Sequence, residues 1–94
     1  MIFEWDDQKA EINLKKHGIH FTKAVNAFFD ERALEIMDPD SPTEERWVLL
    51  GRASEQGVLV VVYCERELPD RIRIISARKA SLLERKNYSF RGCL

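Results

Sequence analysis

Hydrophobic residues near the start of the chain recur at the spacing of an amphipathic helix. A short strand is predicted over residues 2–5 and a helix over residues 7–17. Asp6 is predicted to cap this helix, because its carboxylate can accept backbone N–H bonds of the first turn. Gly18 is predicted to end it, because glycine tolerates the left-handed conformation that a helix C-terminus often needs. The apolar stripe of the helix consists of Ala10, Leu14 and His17.

A second helix and a further strand follow. Thr22 is predicted to cap the helix, since its hydroxyl can accept a backbone N–H bond. The apolar face of that helix consists of Val25, Phe28 and Phe29. Residues 33–38 predict a strand, because apolar and acidic residues alternate there. The segment SPTEE (41–45) contains a capping box with Pro at the first helical position, and it predicts one helical turn.

Three strands in succession are predicted next, over residues 46–53, 58–66 and 71–78. The second of them, VLVVVYCER, is apolar at successive positions, as a strand in the centre of a sheet would be. ELPD (67–70) predicts a turn, because Pro fixes φ and Asp suits turn positions. Ile75 interrupts the alternation of the third strand. This interruption indicates either a bulge or a strand that is covered on both faces.

The last helix is predicted over residues 81–89, where Ser81 and Glu84 form a capping box. The resulting order is β, α, α, β, three strands and α. It predicts a single domain over residues 1–94 of the α+β class, with helices packed on one face of a mainly antiparallel sheet. The other face of the sheet is left partly open, where a binding surface could form.

Charge is distributed unevenly along the chain, although the formal net charge is only −1. Residues 71–94 hold seven basic residues and one acid, whereas residues 1–70 hold eight basic and fifteen acidic residues. Such a division predicts a polyanion at one surface and a basic partner at another. The alternative is an ordinary solvated charged face.

Several classes of protein do not fit the sequence. No apolar run approaches the roughly 20 residues of a membrane helix, and the first residues do not resemble a signal peptide, which favours the cytoplasm. Cys64 and Cys93 do not form a disulfide framework or, with two distant histidines, a zinc site. No phosphate-binding glycine loop or nucleophile elbow is present. We therefore expect neither a metal nor another cofactor.

The remaining chemistry suits RNA. Cleavage of RNA through its own 2′-hydroxyl requires proton transfer and cations around the phosphorane, but no metal. Arg78, Lys79 and Arg85 are the strongest candidates, because they lie together where the predicted strand meets the last helix. Other candidates have structural alternatives. His17 can pack or cap its helix, Tyr63 can pack against a neighbouring strand, and Tyr88 can cover the last helix. The arginines of the strands, Arg46, Arg52, Arg71 and Arg73, can pair with acids or stay solvated.

Three blocks of sequence together resemble the BrnT toxins, ribonucleases of a bacterial type II toxin–antitoxin system. They are WDDQKAEINLKKHGIHF, the EER of residues 44–46 and RIISARKASLLERKNY. The resemblance covers about residues 2–88. It implies a RelE-like fold and RNA cleavage that inhibits translation. It also implies a hetero-oligomer with a BrnA-like antitoxin, whose ribbon-helix-helix domain would bind DNA in place of the toxin.

The resemblance and the chemistry together give two groups of candidate residues for a metal-independent ribonuclease. The predicted catalytic residues are His17, Arg78, Lys79, Glu84, Arg85 and Tyr88. The predicted RNA-binding residues are Lys16, Arg46, Arg52, Tyr63 and Arg73. Two alternatives stay open: a non-catalytic module or corepressor that only binds a partner, and a nucleic-acid binder without catalysis, whose affinity would fall steeply with salt.

Overall fold

A computed structural model describes residues 1–40, 46–65 and 70–92, with side chains as far as residue 89. These described residues form five strands and three α-helices, which confirms the α+β class. In chain order they are β1 (Ile2–Glu4), α1 (Asp7–His17), α2 (Phe21–Ala24), β2 (Leu34–Met37), β3 (Arg46–Arg52), β4 (Val58–Glu65), β5 (Arg71–Lys79) and α3 (Leu82–Gly92). Short 3₁₀ helices occupy Val25–Phe29 and Ser54–Gln56.

The strands form one sheet in the order β1-β5-β4-β3-β2. In the part of the chain that the structure describes, β1 pairs in parallel with β5, and the other three pairings are antiparallel. The prediction of a mainly antiparallel sheet is therefore confirmed. The helical turn predicted over residues 41–45, and all but the last residue of the turn predicted over 67–70, lie outside the described residues.

The ends of α1 match the sequence prediction, and its predicted apolar stripe is correct at Ala10, which packs against the core, but not at Leu14. The Asp6 carboxylate accepts the N–H groups of the first turn, and Gly18 closes the helix at a φ of 74°. Leu14, which was predicted to lie on the inner stripe, is 40% exposed. The buried position is instead Asn13, because α1 lies beside β5 and directs this amide toward the strand.

The prediction for the second helix is wrong at its start. The helix begins at Phe21, and the Thr22 hydroxyl contacts His20 Nδ1 at 3.2 Å instead of capping the backbone. The chain continues directly into the 3₁₀ helix, which turns Phe29 outward to 66% exposure. Small and aromatic residues upstream provide the buried contacts in its place: Phe21, Ala24 and Ala27.

The core lies between the sheet and the first two helices, on what we call the helix-covered face of the sheet. It contains Leu49, Leu59, Val61, Ile72 and Ile74 from the strands. Gly51 allows the 3₁₀ helix to come close, since a Cβ there would lie 2.7 Å from the Ala27 carbonyl oxygen. Strand β4 is buried along most of its length, which confirms its predicted central position.

Strand β5 contains the bulge that its sequence suggested. Val62 faces Ser76, whereas Tyr63 faces Ile74, so Ile75 is the extra residue. The bulge places Ala77 in the core. Ser76 and Arg78 consequently face the other side of the sheet, which we call the opposite face.

Helix α3 begins with the predicted capping box. The Ser81 N–H donates to Glu84 Oε1 at 2.7 Å, and the Glu84 N–H donates to Ser81 Oγ at 3.2 Å. The helix lies against the opposite face, where Glu84 and Asn87 border a small apolar cavity above Val60. Within the described ranges, no helix is long and apolar enough to cross a membrane.

Candidate functional site

A groove of about 440 Å³ lies where the end of β5 meets α3. Three elements contribute one cation each: Arg52 ends β3, Lys79 ends β5, and Arg85 lies on α3. A hydrogen bond of 3.0 Å from the Ala80 N–H to the Val58 carbonyl oxygen joins the end of β5 to the start of β4 at this groove. The other lining residues are Gln56, Gly57 and Ser89. We call this feature the cationic groove.

The composition of the cationic groove favours an anion. Among the described residues that line it there is no carboxylate, and its polar groups include three cations, an amide and a hydroxyl. Guanidinium groups suit phosphate because their planar fork meets two oxygens at once. Cations that converge in a concave surface also raise the local concentration of a polyanion. The groove is therefore suited to hold a phosphodiester.

The Arg78 side chain does not line the cationic groove, although the adjacent Lys79 does. Its guanidinium donates two hydrogen bonds to the Glu84 carboxylate, at 2.8 and 2.9 Å. The hydrogen bonds from Arg78 lower the pKa of Glu84 to about 2, despite an opposing effect of burial. The same bonds raise the pKa of Arg78. This charge is thus already paired, and it fastens the start of α3 to β5.

Arg52 lies over the ring of Tyr88, with 5.8 Å between the guanidinium carbon and the ring centroid. The Tyr88 hydroxyl donates to Asp30 at 2.5 Å. Burial raises the pKa of Tyr88, and the bond to Asp30 raises it further, while Arg52 opposes the shift. Tyr88 is therefore a poor proton acceptor near neutral pH, and its buried ring supports the groove from behind.

Asp30 is a polar residue of this region that sequence reasoning missed. It lies 22 residues from Arg52 and 58 residues from Tyr88. Nothing in the local pattern around Asp30 indicates such distant contacts, because its neighbours suggest only a turn after a helix. Only the fold brings these three residues together.

Lys16 and His17 lie away from the cationic groove. They line a separate shallow cavity of about 190 Å³ with Lys9, Ile75 and Ser76, beside α1 and the bulge of β5. The structure therefore divides the candidates into a groove at α3 and a second basic surface at the end of α1.

Tyr63, predicted to bind RNA, is buried on the helix-covered face with only 2% of its surface exposed. Its ring packs edge-on against Phe28, and its hydroxyl donates to Glu35. Tyr63 is thus a packed core residue, as its structural alternative expected, but it packs against the 3₁₀ helix and not against a neighbouring strand. The physical reason is the alternation of β4, which directs Tyr63 toward the core while Val62 faces the other side.

The other two predicted RNA-binding arginines are also distant from the groove. Arg73 donates to Glu4 at 3.0 Å across the parallel pair of strands. Arg46 begins β3, six residues before Arg52, so their backbones are about 20 Å apart at the usual rise of a strand. Neither residue lines the cationic groove.

A small α+β domain with an open groove for a polyanion is the class of protein that these features define. The described residues contain no group of His, Cys, Asp and Glu that could hold a metal ion. The family model of the ribonuclease toxin BrnT, of a type II toxin–antitoxin system, matches residues 5–84. The chain therefore belongs to the BrnT toxin family.

Comparison with solved structures supports the same fold. The crystal structure of the Brucella abortus ribonuclease toxin BrnT is similar to this chain with a TM-score of 0.65 at 20% sequence identity. The similarity covers 86% of this chain and 99% of that chain. No curated protein sequence matches the chain.

Proposed function

We propose that this protein is the toxin of a type II toxin–antitoxin system and cleaves RNA without a metal ion in the cationic groove. The observation that carries the proposal is the convergence of Arg52, Lys79 and Arg85 from three separate elements. Membership of the BrnT family supplies the ribonuclease class.

The reaction would be an internal transfer. The 2′-oxygen of RNA attacks the adjacent phosphorus, the bond to the 5′-oxygen breaks, and a 2′,3′-cyclic phosphate forms. One proton leaves the 2′-hydroxyl and one reaches the departing 5′-oxygen. Arg52, Lys79 and Arg85 would stabilise the extra negative charge of the phosphorane, and such stabilisation is often the largest catalytic contribution.

The other candidates would act less directly. Arg78 and Glu84 would hold the N-terminal end of α3 and so position Arg85, since their charges are already paired. Tyr88 would support Arg52 through its ring. Lys16 and His17 would contact RNA outside the groove, on the second basic surface. His17 stays a candidate for proton transfer only if the RNA spans both surfaces.

The partner and its consequences belong to the same proposal. A type II system implies a protein antitoxin, and we infer one of the BrnA-like ribbon-helix-helix kind. It would neutralise the toxin in the cytoplasm and would provide the only contact with DNA. Cleavage of RNA by the free toxin would inhibit translation.

The test is cleavage of a short RNA by the purified protein in excess EDTA. We expect the wild type to cut, and Arg85→Ala to lose about 100-fold or more in rate, as for removal of a group that stabilises a transition state. Lys86→Ala is the matched control, because Lys86 is exposed on the same helix but does not line the groove. Equal rates for the two variants would refute the groove assignment, and loss of all cleavage in EDTA would refute the metal-free mechanism.

One observation favours a second function. The described lining of the groove lacks a carboxylate or an imidazole, as a surface that only binds a polyanion would. In that case the protein is a non-catalytic binding module or corepressor. Growth and translation would then be unaffected when the protein is expressed without its antitoxin, and bound RNA would stay intact during long incubation.

A further inference from the structure

A single carboxylate, that of Asp30, joins three parts of the molecule at the edge of the cationic groove. Its Oδ2 atom accepts the Arg52 backbone N–H at 2.7 Å and the Tyr88 hydroxyl at 2.5 Å. Its Oδ1 atom accepts the Arg32 N–H at 3.0 Å. The residue after the 3₁₀ helix is thereby tied to the end of β3 and to α3.

These bonds restrict Arg52 at two points. The backbone of Arg52 is held at the last position of β3 by Asp30. The Arg52 guanidinium lies over the ring of Tyr88. The Tyr88 hydroxyl in turn donates to the same Asp30 oxygen, Oδ2. Tyr88 is 6% exposed, whereas Arg52 is exposed and lines the groove. Asp30 therefore fixes the support of the guanidinium without lining the groove itself.

We propose that Asp30 is a positioning residue, which holds Tyr88 and Arg52 so that the Arg52 guanidinium is directed at the phosphate in the cationic groove. The inference rests on the proposed ribonuclease function. It adds a residue from a different part of the chain, whose own charge repels the substrate.

The repulsion makes the inference testable. If Asp30 acted only through its charge, Asp30→Ala would strengthen RNA binding and leave cleavage intact or faster. If it only stabilised the fold, rate and affinity would fall together with the folded fraction. A positioning role predicts a slower chemical step while affinity is kept or raised, because misplacement of a catalytic group costs rate more than ground-state binding.

The experiment compares two variants that remove the same contact from its two sides, Asp30→Ala and Tyr88→Phe, together with the double variant. Single-turnover cleavage at saturating protein measures the chemical step. Binding of the same RNA with 2′-O-methyl groups, which cannot be cleaved, measures affinity. Glu31→Gln is the control, because it removes the same charge from the adjacent exposed residue. Circular dichroism confirms that each variant is folded.

We expect Asp30→Ala and Tyr88→Phe each to slow cleavage by between about tenfold and a hundredfold, with affinity within about twofold of the wild type or tighter. The double variant should be little worse than either single variant, since both remove one shared contact. Glu31→Gln should cleave like the wild type. A wild-type rate for Asp30→Ala, or a slowing by Glu31→Gln of the same size, would overturn the proposal.

A second readout does not depend on activity. The Nε–H resonance of Arg52 should be shifted by the ring current of Tyr88 in the wild type and should move toward the value of a free arginine in Asp30→Ala. If the wild type did not cleave RNA, the proposed function would fail, and this resonance alone would decide the positioning. An unchanged resonance in Asp30→Ala would refute it.

Discussion

Glu84 bonds with both oxygens of one carboxylate to two different parts of the chain. Oε1 accepts hydrogen bonds from the Ser81 N–H and from Nη1 of Arg78, and Oε2 accepts one from Nη2 of Arg78. The bond with Ser81 caps the start of α3, and the bonds with Arg78 attach α3 to β5. Because Arg85 follows directly, the position of a groove cation depends on a residue that does not touch the groove.

The pKa of Glu84 makes this contact dependent on pH. It lies at about 2 in the fold, below its ordinary value of 4.5. The ionised form is therefore favoured in the folded state, so the stabilisation is complete above about pH 4.5 and is lost as the pH falls toward 2. We expect Glu84→Gln to lower the free energy of unfolding by about 1 kcal/mol at neutral pH. It should also flatten the decline of that free energy with acid.

Urea unfolding followed by circular dichroism between pH 2.5 and 7 measures both effects. Glu55→Gln serves as the control, since Glu55 is an exposed acid in a surface turn. If the wild type and Glu84→Gln lost stability in parallel as the pH fell, the contact with Arg78 would not have the strength inferred from the pKa.

At the scale of elements, the Asn13 side chain makes hydrogen bonds to the β5 backbone of the kind that a neighbouring strand would make. Strand β1 pairs only with the first three residues of β5. Beyond them, the Asn13 amide donates to the Ala77 carbonyl at 2.9 Å and accepts the Ala77 N–H at 3.1 Å. A further bond to the Ile19 carbonyl, 3.0 Å long, secures the turn after α1. One buried amide thus satisfies backbone groups of β5 and of the turn after α1.

Removal of this amide should be costly. Asn13→Ala leaves the Ala77 N–H and two carbonyl groups buried without their partner, and each such loss costs about 1–3 kcal/mol. We expect the free energy of unfolding to fall by about 2–4 kcal/mol, as the surroundings relax. Urea unfolding measures the change, with the exposed Asn26→Ala as the matched control. A similar small effect of both substitutions would show that water replaces the Asn13 contacts.

Apart from the cap expected at Thr22, predictions at this scale succeeded where the interacting residues are close in sequence. The caps at Asp6, Gly18 and Ser81 were predicted correctly, because each depends on neighbours within a few residues. The bulge at Ile75 was indicated by a local break in alternation. The inward position of Leu14 was predicted wrongly, because only the neighbouring strand decides which side of α1 is buried.

The candidate site was less predictable for the same reason. Lys79 and Arg85 are near in sequence and do line one groove, as their junction suggested. Arg78 belongs to a different contact because alternate residues of a strand face opposite sides. Arg52 and Asp30 approach the groove only through pairing of distant strands and packing of α3, which periodicity does not reveal.

At the scale of the whole molecule, the net charge of −1 gives little general attraction for RNA. Binding of a short RNA that occupies only the cationic groove, and does not reach the second basic surface, should therefore depend on the few cations of the groove. Single-stranded RNA releases about 0.7 counterion per neutralised phosphate, so three groove cations predict a slope of about −2 in log affinity against log salt. A protein that bound RNA with its whole surface would show a much steeper slope.

Titration of the 2′-O-methyl RNA at several salt concentrations tests this expectation. Lys79→Ala should reduce the magnitude of the slope by about 0.7. Lys15→Ala should not change the slope, because Lys15 lies on α1, away from the groove, with its Nζ 3.7 Å from Glu11 Oε1. A slope that Lys79→Ala leaves unchanged would place the bound RNA elsewhere on the molecule.

In an ordinary strand, either the odd-numbered or the even-numbered side chains face a given side of the sheet along the whole strand. In β5 this assignment changes at Ile75. Even-numbered side chains face the helices before that residue, and odd-numbered ones do so after it. Regular pairing of β5 with β4 through Ile75, without the bulge, would turn Arg78 toward the core and Ala77 out toward α3. The contacts made by Asn13 and Glu84 therefore both depend on one bulge, so the register of β5 is constrained as strictly as its composition.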